Sequence, residues 1–324
     1  MQNWKWPSPS LHLPALALSL GYMLCLPGVQ ADLIERLESE KLWGVYQIHG
    51  YPPRFRDALL KQIDDLGSAP DFVMFFRDLP DRRGFPTESA KFIRDQGSIP
   101  VLSLELHHWS RFREDKVNWL SEIIAGTLDD AFRSWAEDAK AFESPVLLRF
   151  GFEMNGDWFT WGNQPDLFIK AWRHAHSIVD NVGADNVYWV FSPNVEWDQN
   201  KPNSRIKLYY PGDDFVDIVS LDGYNFGDHS KPWHSWKTFK EVFGDSIDII
   251  SRYPKPLILG EIGCADDERK AVWVQNFLKH FMSDPRIRGF IYYNFADGKN
   301  DEPDWRLNTD PQTQQIFREF VAGL

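Results

Sequence analysis

The alternation of two kinds of segment along the chain most constrains the fold. Short apolar runs, rich in β-branched and aromatic residues, are separated by longer segments of helical periodicity. Runs such as PVLLRF and PLILG are apolar almost throughout, which is typical of parallel strands buried on both faces. Eight such runs are predicted strands: Trp43–Ile48, Phe72–Phe76, Val101–Leu106, Val146–Phe150, Val187–Phe191, Val216–Leu221, Leu257–Leu259 and Phe290–Asn294.

Amphipathic helices are predicted between these strands. Eight strands interleaved with helices predict an α/β fold, a single (β/α)8 TIM barrel, with a doubly wound open sheet as the alternative. A length of 324 residues fits one large core. The predicted helices are Arg54–Leu66, Thr87–Gln96, Leu128–Ala141, Asp166–Val182, Trp236–Arg252, Glu268–Met282 and Gln312–Phe320.

Residues 1–31 differ in composition from the rest of the chain. Lys5 is their only charged residue, Leu11–Leu26 is mostly apolar, and Val29–Ala31 supplies small residues for cleavage. This pattern predicts a secretory signal peptide at 1–31, followed by a catalytic domain at 32–324. An uncleaved membrane anchor is the alternative, but prolines shorten the apolar stretch below the roughly 20 residues that a spanning helix needs.

Export of the chain would determine its surroundings and its partners. The mature protein is expected to be secreted or periplasmic and monomeric, without stable membrane association. Cys25 would leave with the signal peptide, so Cys264 would have no intramolecular disulfide partner. A formal net charge of −12 argues against nucleic acid or an anionic membrane as a partner.

The segment RFGFEMNGDWFTWG places Glu153 among Asn155, Trp158 and Trp161, the amide and aromatic groups that suit a sugar. Glycoside hydrolysis normally requires a second carboxyl group on the other side of the scissile bond. Glu261, in KPLILGEIGC, supplies it. Because the two acids follow the fourth and seventh predicted strands, a barrel would bring both into one cleft. The pair predicts a glycoside hydrolase.

The local sequence assigns a different role to each acid. Phe152 and Trp158 would desolvate Glu153 and raise its pKa, as a proton donor at neutral pH requires. Glu261 is then the nucleophile, with Tyr224 placed to hydrogen-bond it and keep it ionised. A retaining mechanism needs carboxyl groups about 5 to 5.5 Å apart.

Five blocks of the chain resemble glycoside hydrolase family 26 in order and spacing. The blocks are DDAFRSWAEDAKAF, RFGFEMNGDWFTWG, AWRHAHSIVDNVGADNVYWVFSPN, YYPGDDFVDIVSLDGYN and KPLILGEIG. The resemblance implies a (β/α)8 retaining endo-glycanase with acid/base Glu153, nucleophile Glu261 and Tyr224 beside the nucleophile. It also implies Trp158 in the central subsite, and a Trp-Arg pair after the eighth strand at Trp305 and Arg306.

The family's substrates include β-1,4-mannan, mixed-linkage β-1,3;1,4-glucan and β-1,3-xylan. We rank mannan ahead of mixed-linkage glucan, and an exopolysaccharide is a further alternative. Relatives usually have histidine immediately before the acid, whereas this chain has Phe152. That departure bears on which sugar the central subsite prefers.

Several further residues are candidates for contact with the sugar. His107, Asn194 and Asp222 lie at or just beyond the ends of predicted strands and could hydrogen-bond hydroxyl groups. Trp161 is one of several tryptophans that could stack on a pyranose ring. The spacing of the histidines does not suit a metal site, so we expect no metal and no cofactor.

Two questions about function stay open at the level of sequence. A non-catalytic carbohydrate-binding barrel is the alternative to an enzyme, motivated by Phe152 and by the abundance of tryptophan. Endo action fits a long open cleft, but a loop such as Glu196–Tyr210 could close one end and make the enzyme exo-acting.

Overall fold

Eight parallel strands close into a barrel in sequence order, with the eighth strand paired to the first. Every observed strand overlaps one predicted from sequence, which confirms the single (β/α)8 barrel. The pairing of the first and last strands excludes the open doubly wound sheet. The strands are β1 Leu42–Tyr46, β2 Phe72–Asp78, β3 Ile99–Glu105, β4 Val146–Phe150, β5 Val187–Phe191, β6 Ile218–Asn225, β7 Leu257–Cys264 and β8 Ile287–Tyr292.

The computed structural model describes residues 33–46, 54–79, 84–108, 115–196, 205–228, 234–296 and 303–324. Leu33–Leu324 form one compact unit. The segment 1–31 lies outside the described residues, so the signal peptide stays a prediction. Within the described ranges, no helix combines the length and the apolar character needed to span a bilayer.

Helices follow most strands and cover the barrel. All seven predicted helices are present, with ends shifted by up to three residues, and three short helices at Leu33–Ser39, Trp119–Ile124 and Arg205–Leu208 were not predicted. In its described part, the β5–β6 connection carries only the last of these and the short 3-10 turn Asp213–Phe215. The helices are α1 Leu33–Ser39, α2 Arg54–Leu66, α3 Thr87–Asp95, α4 Trp119–Ile124, α5 Asp129–Phe142, α6 Pro165–Val182, α7 Arg205–Leu208, α8 Phe239–Ile250, α9 Lys270–Ser283 and α10 Pro311–Val321.

Side chains alternate along each strand between the barrel interior and the layer beneath the helices, as the period of two in a β-strand requires. On β2, Met74 belongs to the interior cluster, whereas Val73 and Phe75 pack in the outer core. On β4, Leu147 is interior and Leu148 is outer. The interior residues at this level are apolar, so they form an apolar floor beneath the residues that lie nearer the carboxyl ends of the strands.

Candidate active site

A polar layer replaces the apolar one further along the strands. A residue two positions after an interior apolar residue also points inward. In the polar layer these residues are Ser103 on β3, Arg149 on β4 and Ser192 just after β5. Ser220 on β6 continues the layer. All four side chains are buried. The barrel therefore holds a buried arginine, ringed by serines, directly below its carboxyl-terminal mouth.

Gly260 on β7 leaves room for this layer. A Cβ atom on Gly260 would lie 2.2 Å from Oγ of Ser220 and 2.8 Å from Oδ1 of Asp222. Backbone and side-chain atoms cannot approach that closely, so any larger residue would displace the polar cluster. The glycine also marks an irregularity in the strand.

The pairing of β6 with β7 shifts register at this point, since Leu221 pairs with Leu259 but Asp222 pairs with Glu261. A regular strand with Leu257 and Leu259 in the outer core would also turn residue 261 outward. The extra residue in β7 reverses this alternation, as a β-bulge does. The Glu261 carboxylate consequently points into the barrel.

Arg149 forms ion pairs with two carboxylates at the centre of the site, those of Asp222 and Glu261. Its Nη1 donates to Oε1 of Glu261 at 2.8 Å and to Oγ of Ser103 at 2.7 Å. Its Nη2 donates to Oδ2 of Asp222, and its Nε donates to Oγ of Ser192 at 3.1 Å. Buried charges are tolerated when they are paired and hydrogen-bonded, and this guanidinium satisfies both conditions.

Tyr224 holds the other oxygen of the nucleophile candidate. Its hydroxyl group donates to Oε2 of Glu261. Burial, together with the negative charge of Glu261, raises the pKa of Tyr224 well above its usual value, so the phenol stays protonated and donates. Both oxygens of Glu261 thus accept hydrogen bonds, which fix the orientation of the carboxylate.

Glu153 lies in the turn after β4 with a positive φ of 53°. This left-handed conformation is unusual for a residue with a side chain. Its backbone N–H donates to the carbonyl of Ser192 at 2.7 Å. Its carboxyl oxygens accept from Nε1 of Trp158 and from Nδ2 of Asn194, both at 2.6 Å. Three hydrogen bonds therefore hold the acid in place.

Burial and the nearby charge of Glu261 raise the pKa of Glu153 to about 7. Hydrogen bonds from Asn194 and Trp158 oppose this shift without cancelling it. The two glutamates are therefore close enough to interact electrostatically, and their surroundings differ: Glu153 is buried with a raised pKa, whereas Glu261 accepts hydrogen bonds at both oxygens. One carboxyl group that carries a proton beside one that does not is the requirement for acid-assisted displacement.

Asn155 positions the acid indirectly, whereas we predicted that it contacts substrate. Its Nδ2 donates to the carbonyl of Asn194 at 2.8 Å, and its Oδ1 accepts from the Asn194 N–H, also at 2.8 Å. Both amide atoms are thus used to fix the backbone of Asn194, whose side chain reaches Glu153. The predicted site residue Asn194 lies in the site; its contact with sugar stays a prediction.

Three predicted sugar contacts are corrected by burial. Asp222 is 0% exposed and its carboxylate is held by Arg149. Trp161 is 1% exposed, donates Nε1 to the Phe152 carbonyl at 2.7 Å, and stacks on a neighbouring phenylalanine. His107 is 0% exposed, with its ring 5.1 Å from that of Trp161. These side chains are enclosed by neighbouring residues and present no surface to a sugar in this structure.

The remaining predicted residues lie at the mouth of the barrel. Trp158 is 45% exposed, so one face of its indole is open to a ligand while its N–H is bonded to Glu153. Trp305 is buried, with its ring 4.8 Å from that of Tyr224. Arg306 is exposed and forms an ion pair with Asp304, Nε to Oδ1 2.9 Å. Their roles toward substrate stay predictions.

Arg149 is the functional residue that the sequence reasoning missed. A signal was present, because a cation within the otherwise apolar strand VLLRF must have a buried partner. Phe152, the departure from the family pattern, packs its ring 5.1 Å from the Arg149 guanidinium and 5.2 Å from the ring of Phe76. Phe152 therefore packs between the buried arginine and Phe76.

A second acidic pair lies at the ends of β2 and β3. Asp78 and Glu105 are opposite each other in the strand register. Burial, followed by the charge and hydrogen bond of Asp78, raises the pKa of Glu105 to about 8.

In the parts of the chain that the structure describes, no group of three or more potential ligands is arranged to bind a metal ion.

A closed (β/α)8 barrel with paired glutamates at the ends of β4 and β7 has the architecture of the barrel glycoside hydrolases. The model of glycosyl hydrolase family 26 matches residues 116–246. That match covers β4 and Glu153. Over this segment the chain is similar to family 26.

Curated relatives agree with this assignment. Endoglucanase H of Acetivibrio thermocellus is 31% identical over 244 residues, which cover 72% of this chain and 25% of the relative. A mannan endo-1,4-beta-mannosidase of Bacillus subtilis is 39% identical over 192 residues, which cover 52% of this chain and 48% of the relative. The chain thus spans a quarter to a half of the length of these relatives.

Solved structures share the fold. The catalytic domain of a family 26 endo-beta-1,4-mannanase from Bacillus sp. JAMB-750 superimposes with a TM-score of 0.65 at 19% identity. The match covers 90% of this chain and 88% of that domain. At this identity, the likeness concerns the architecture of the barrel.

Replacement of Arg149 by methionine should destabilise the protein strongly. The substitution leaves Asp222 and Glu261 buried without their counter-charge, a situation that typically costs about 3–5 kcal/mol. Urea denaturation monitored by circular dichroism measures the free energy of unfolding. Addition of Asp222→Asn to Arg149→Met should recover part of the loss, because one uncompensated charge is removed.

The matched control is Arg133→Met, which breaks an exposed ion pair with Asp130. Its effect should stay within about 0.5 kcal/mol. A loss for Arg149→Met as small as that of Arg133→Met would contradict the structural role assigned to the buried arginine.

Proposed function

We propose that the protein is a retaining endo-β-1,4-mannanase that works by double displacement. The observation that carries the proposal is the unequal setting of the two glutamates. Glu153 is buried with its pKa raised to about 7, whereas Glu261 has both oxygens held by the donors Arg149 and Tyr224. The first is suited to donate a proton and the second to attack as a carboxylate.

In the first step, Glu153 transfers its proton to the glycosidic oxygen as the bond from that oxygen to the anomeric carbon breaks. A carboxylate oxygen of Glu261 attacks the anomeric carbon from the opposite face and forms a glycosyl ester. The proton acceptor is the departing saccharide, which leaves as a neutral alcohol. Trp158, with an open indole face and its N–H on Glu153, is placed to contact the sugar during this step.

In the second step, the ionised Glu153 removes a proton from water, whose oxygen attacks the same carbon. The ester bond breaks, and the Glu261 carboxylate returns to its hydrogen bonds with Arg149 and Tyr224. Two inversions yield net retention. Because the hydrogen-bond donors to Glu261 are fixed by the barrel, little reorganisation accompanies the return of charge.

Mannan is the preferred substrate because curated relatives, including the one from Bacillus subtilis, are named mannan endo-1,4-beta-mannosidases. A β-glucan is the second candidate, since a relative aligned over 72% of this chain is named Endoglucanase H. The two substrates differ in whether the hydroxyl group at C2 of the sugar unit is axial or equatorial. The ratio of kcat/KM for β-mannan and mixed-linkage glucan decides between them.

Glu261→Ala should reduce hydrolysis of every β-glycan by at least about 10³-fold, because no nucleophile remains. Added azide should restore turnover of an activated aryl glycoside and produce the α-glycosyl azide. Azide with Glu153→Ala should instead produce the β-glycosyl azide, by attack on the glycosyl ester. Product configuration is read by proton NMR.

The control for these variants is Glu137→Ala, at an exposed position of α5, which should keep wild-type turnover. Turnover by Glu261→Ala close to that of the wild-type protein would refute the mechanism. Sugar binding by the wild-type protein without release of reducing ends from any β-glycan would favour a binding-only barrel.

Activity should fall as pH rises through about 7, where Glu153 loses its proton. Above that value, kcat/KM on a polysaccharide is expected to drop about tenfold per pH unit. A 2,4-dinitrophenyl glycoside needs no protonation of its leaving group, so its glycosylation step should lack this alkaline limb. Parallel pH profiles for the two substrates would contradict the assignment of Glu153 as the acid.

We also propose that residues 1–31 direct export and are removed, so that the enzyme acts outside the cytoplasm. The proposal is supported by the apolar stretch with a single charge. Expression of the full chain in a bacterial host, with fractionation and mass spectrometry, should find a mature protein starting near residue 32 and eluting as a monomer. Retention of the intact chain in the membrane would favour the anchor.

A further inference from the structure

Lys270, the first residue of α9, has a side chain that is 0% exposed. Its Nζ donates to the carbonyl of Arg306 at 2.7 Å, and to the carbonyl of Asp304 and Oγ1 of Thr309, each at 3.3 Å. An ammonium group has three protons to donate, and here each has an acceptor. Because all three acceptors belong to the segment 303–309, one buried lysine ties that segment to α9.

The segment 303–309 carries Trp305 to the edge of the active site. The backbone N–H of Trp305 donates to the backbone carbonyl of Phe295 at 3.0 Å. Its indole lies 4.8 Å from the ring of Tyr224 and 5.2 Å from that of Phe226. Trp305 itself is buried, so much of its surface is used in packing against these neighbours.

Tyr224 is closely confined between Trp305 and β7. A Cβ atom on Gly263 would lie 2.8 Å from Cδ1 of Tyr224 and 3.1 Å from Cε3 of Trp305. The tyrosine ring therefore rests on the bare backbone of β7 and is covered by the indole. Its hydroxyl group reaches Oε2 of Glu261 from this position. Movement of Trp305 would free the ring to leave the nucleophile.

We propose that Lys270 is a positioning residue for hydrolysis: it anchors the segment 303–309, so that Trp305 keeps Tyr224 in the place from which it donates to Glu261. The inference rests on the proposed hydrolase function. Lys270 touches neither Glu153 nor Glu261 through any described hydrogen bond, and it acts through the packing of two aromatic rings.

Lys270→Met should lower kcat on β-mannan about tenfold and change KM little, because a misplaced Tyr224 weakens the hold on the nucleophile. The matched control is Lys41→Met. Lys41 also donates to backbone carbonyls, those of Asp284 and Ile287, but it does so at the amino end of the barrel. The Lys41→Met substitution should lower the melting temperature of the protein without changing kcat at 25 °C. Equal kcat in Lys270→Met and the wild-type enzyme would overturn the inference.

A double-mutant cycle with Tyr224→Phe separates positioning from general destabilisation. If Lys270 acts through the Tyr224 hydroxyl group, Lys270→Met should cost little further activity in the Tyr224→Phe background. An equal loss in both backgrounds would refute the inference. Should Lys270→Met not fold, Thr309→Val removes one of the three acceptors, and its smaller loss should likewise vanish in Tyr224→Phe.

A crystal structure of the lysine variant supplies a measurement that does not depend on turnover. The separation between the Tyr224 hydroxyl oxygen and Oε2 of Glu261 should increase beyond hydrogen-bond distance. An unchanged separation would overturn the positioning role, even if the wild-type protein proved inactive on every glycan. Inactivity of the wild-type protein would instead count against the proposed function alone.

Discussion

The buried guanidinium of Arg149 is the interaction on which the site depends. It forms ion pairs with both Asp222 and Glu261 inside a barrel whose floor is apolar, where an unpaired charge would be costly. Two local features of the backbone exist to accommodate it. Gly260 leaves the space that the polar layer fills, and the bulge in β7 turns Glu261 toward the arginine. Loss of any of these would affect the others, because they share one small volume.

The chemistry follows from the difference between the two sides of this volume. Glu261 faces donors, and Glu153 lies among buried neighbours with the charge of Glu261 close by. In the proposed mechanism, Glu261 attacks as a carboxylate, and its negative charge adds to the effect of burial in raising the pKa of Glu153. After the glycosyl ester forms, Glu261 is neutral, and the pKa of Glu153 should fall, which suits its second role as a base. One electrostatic coupling therefore serves both steps.

Sequence reasoning predicted the strands and the two acids, but it assigned several neighbours to the wrong surface. His107, Trp161 and Asp222 were expected to meet the sugar because they follow or end predicted strands. All three are buried. Position after a strand predicts the correct end of the barrel, whereas exposure depends on how the turn packs. The turn after β4, in which Glu153 has a positive φ, leaves Trp158 exposed and buries Trp161 only three residues further on.

The sequence by itself determined the eightfold alternation and the positions of Glu153 and Glu261, because hydrophobic period and segment length are local properties. Only the tertiary structure decided which way Glu261 points, since the period of two along β7 predicts the opposite face until the bulge at Gly260 is known. It also decided that Arg149 is the partner of both Asp222 and Glu261. These contacts join residues more than 70 positions apart, and no local pattern encodes which strands will meet.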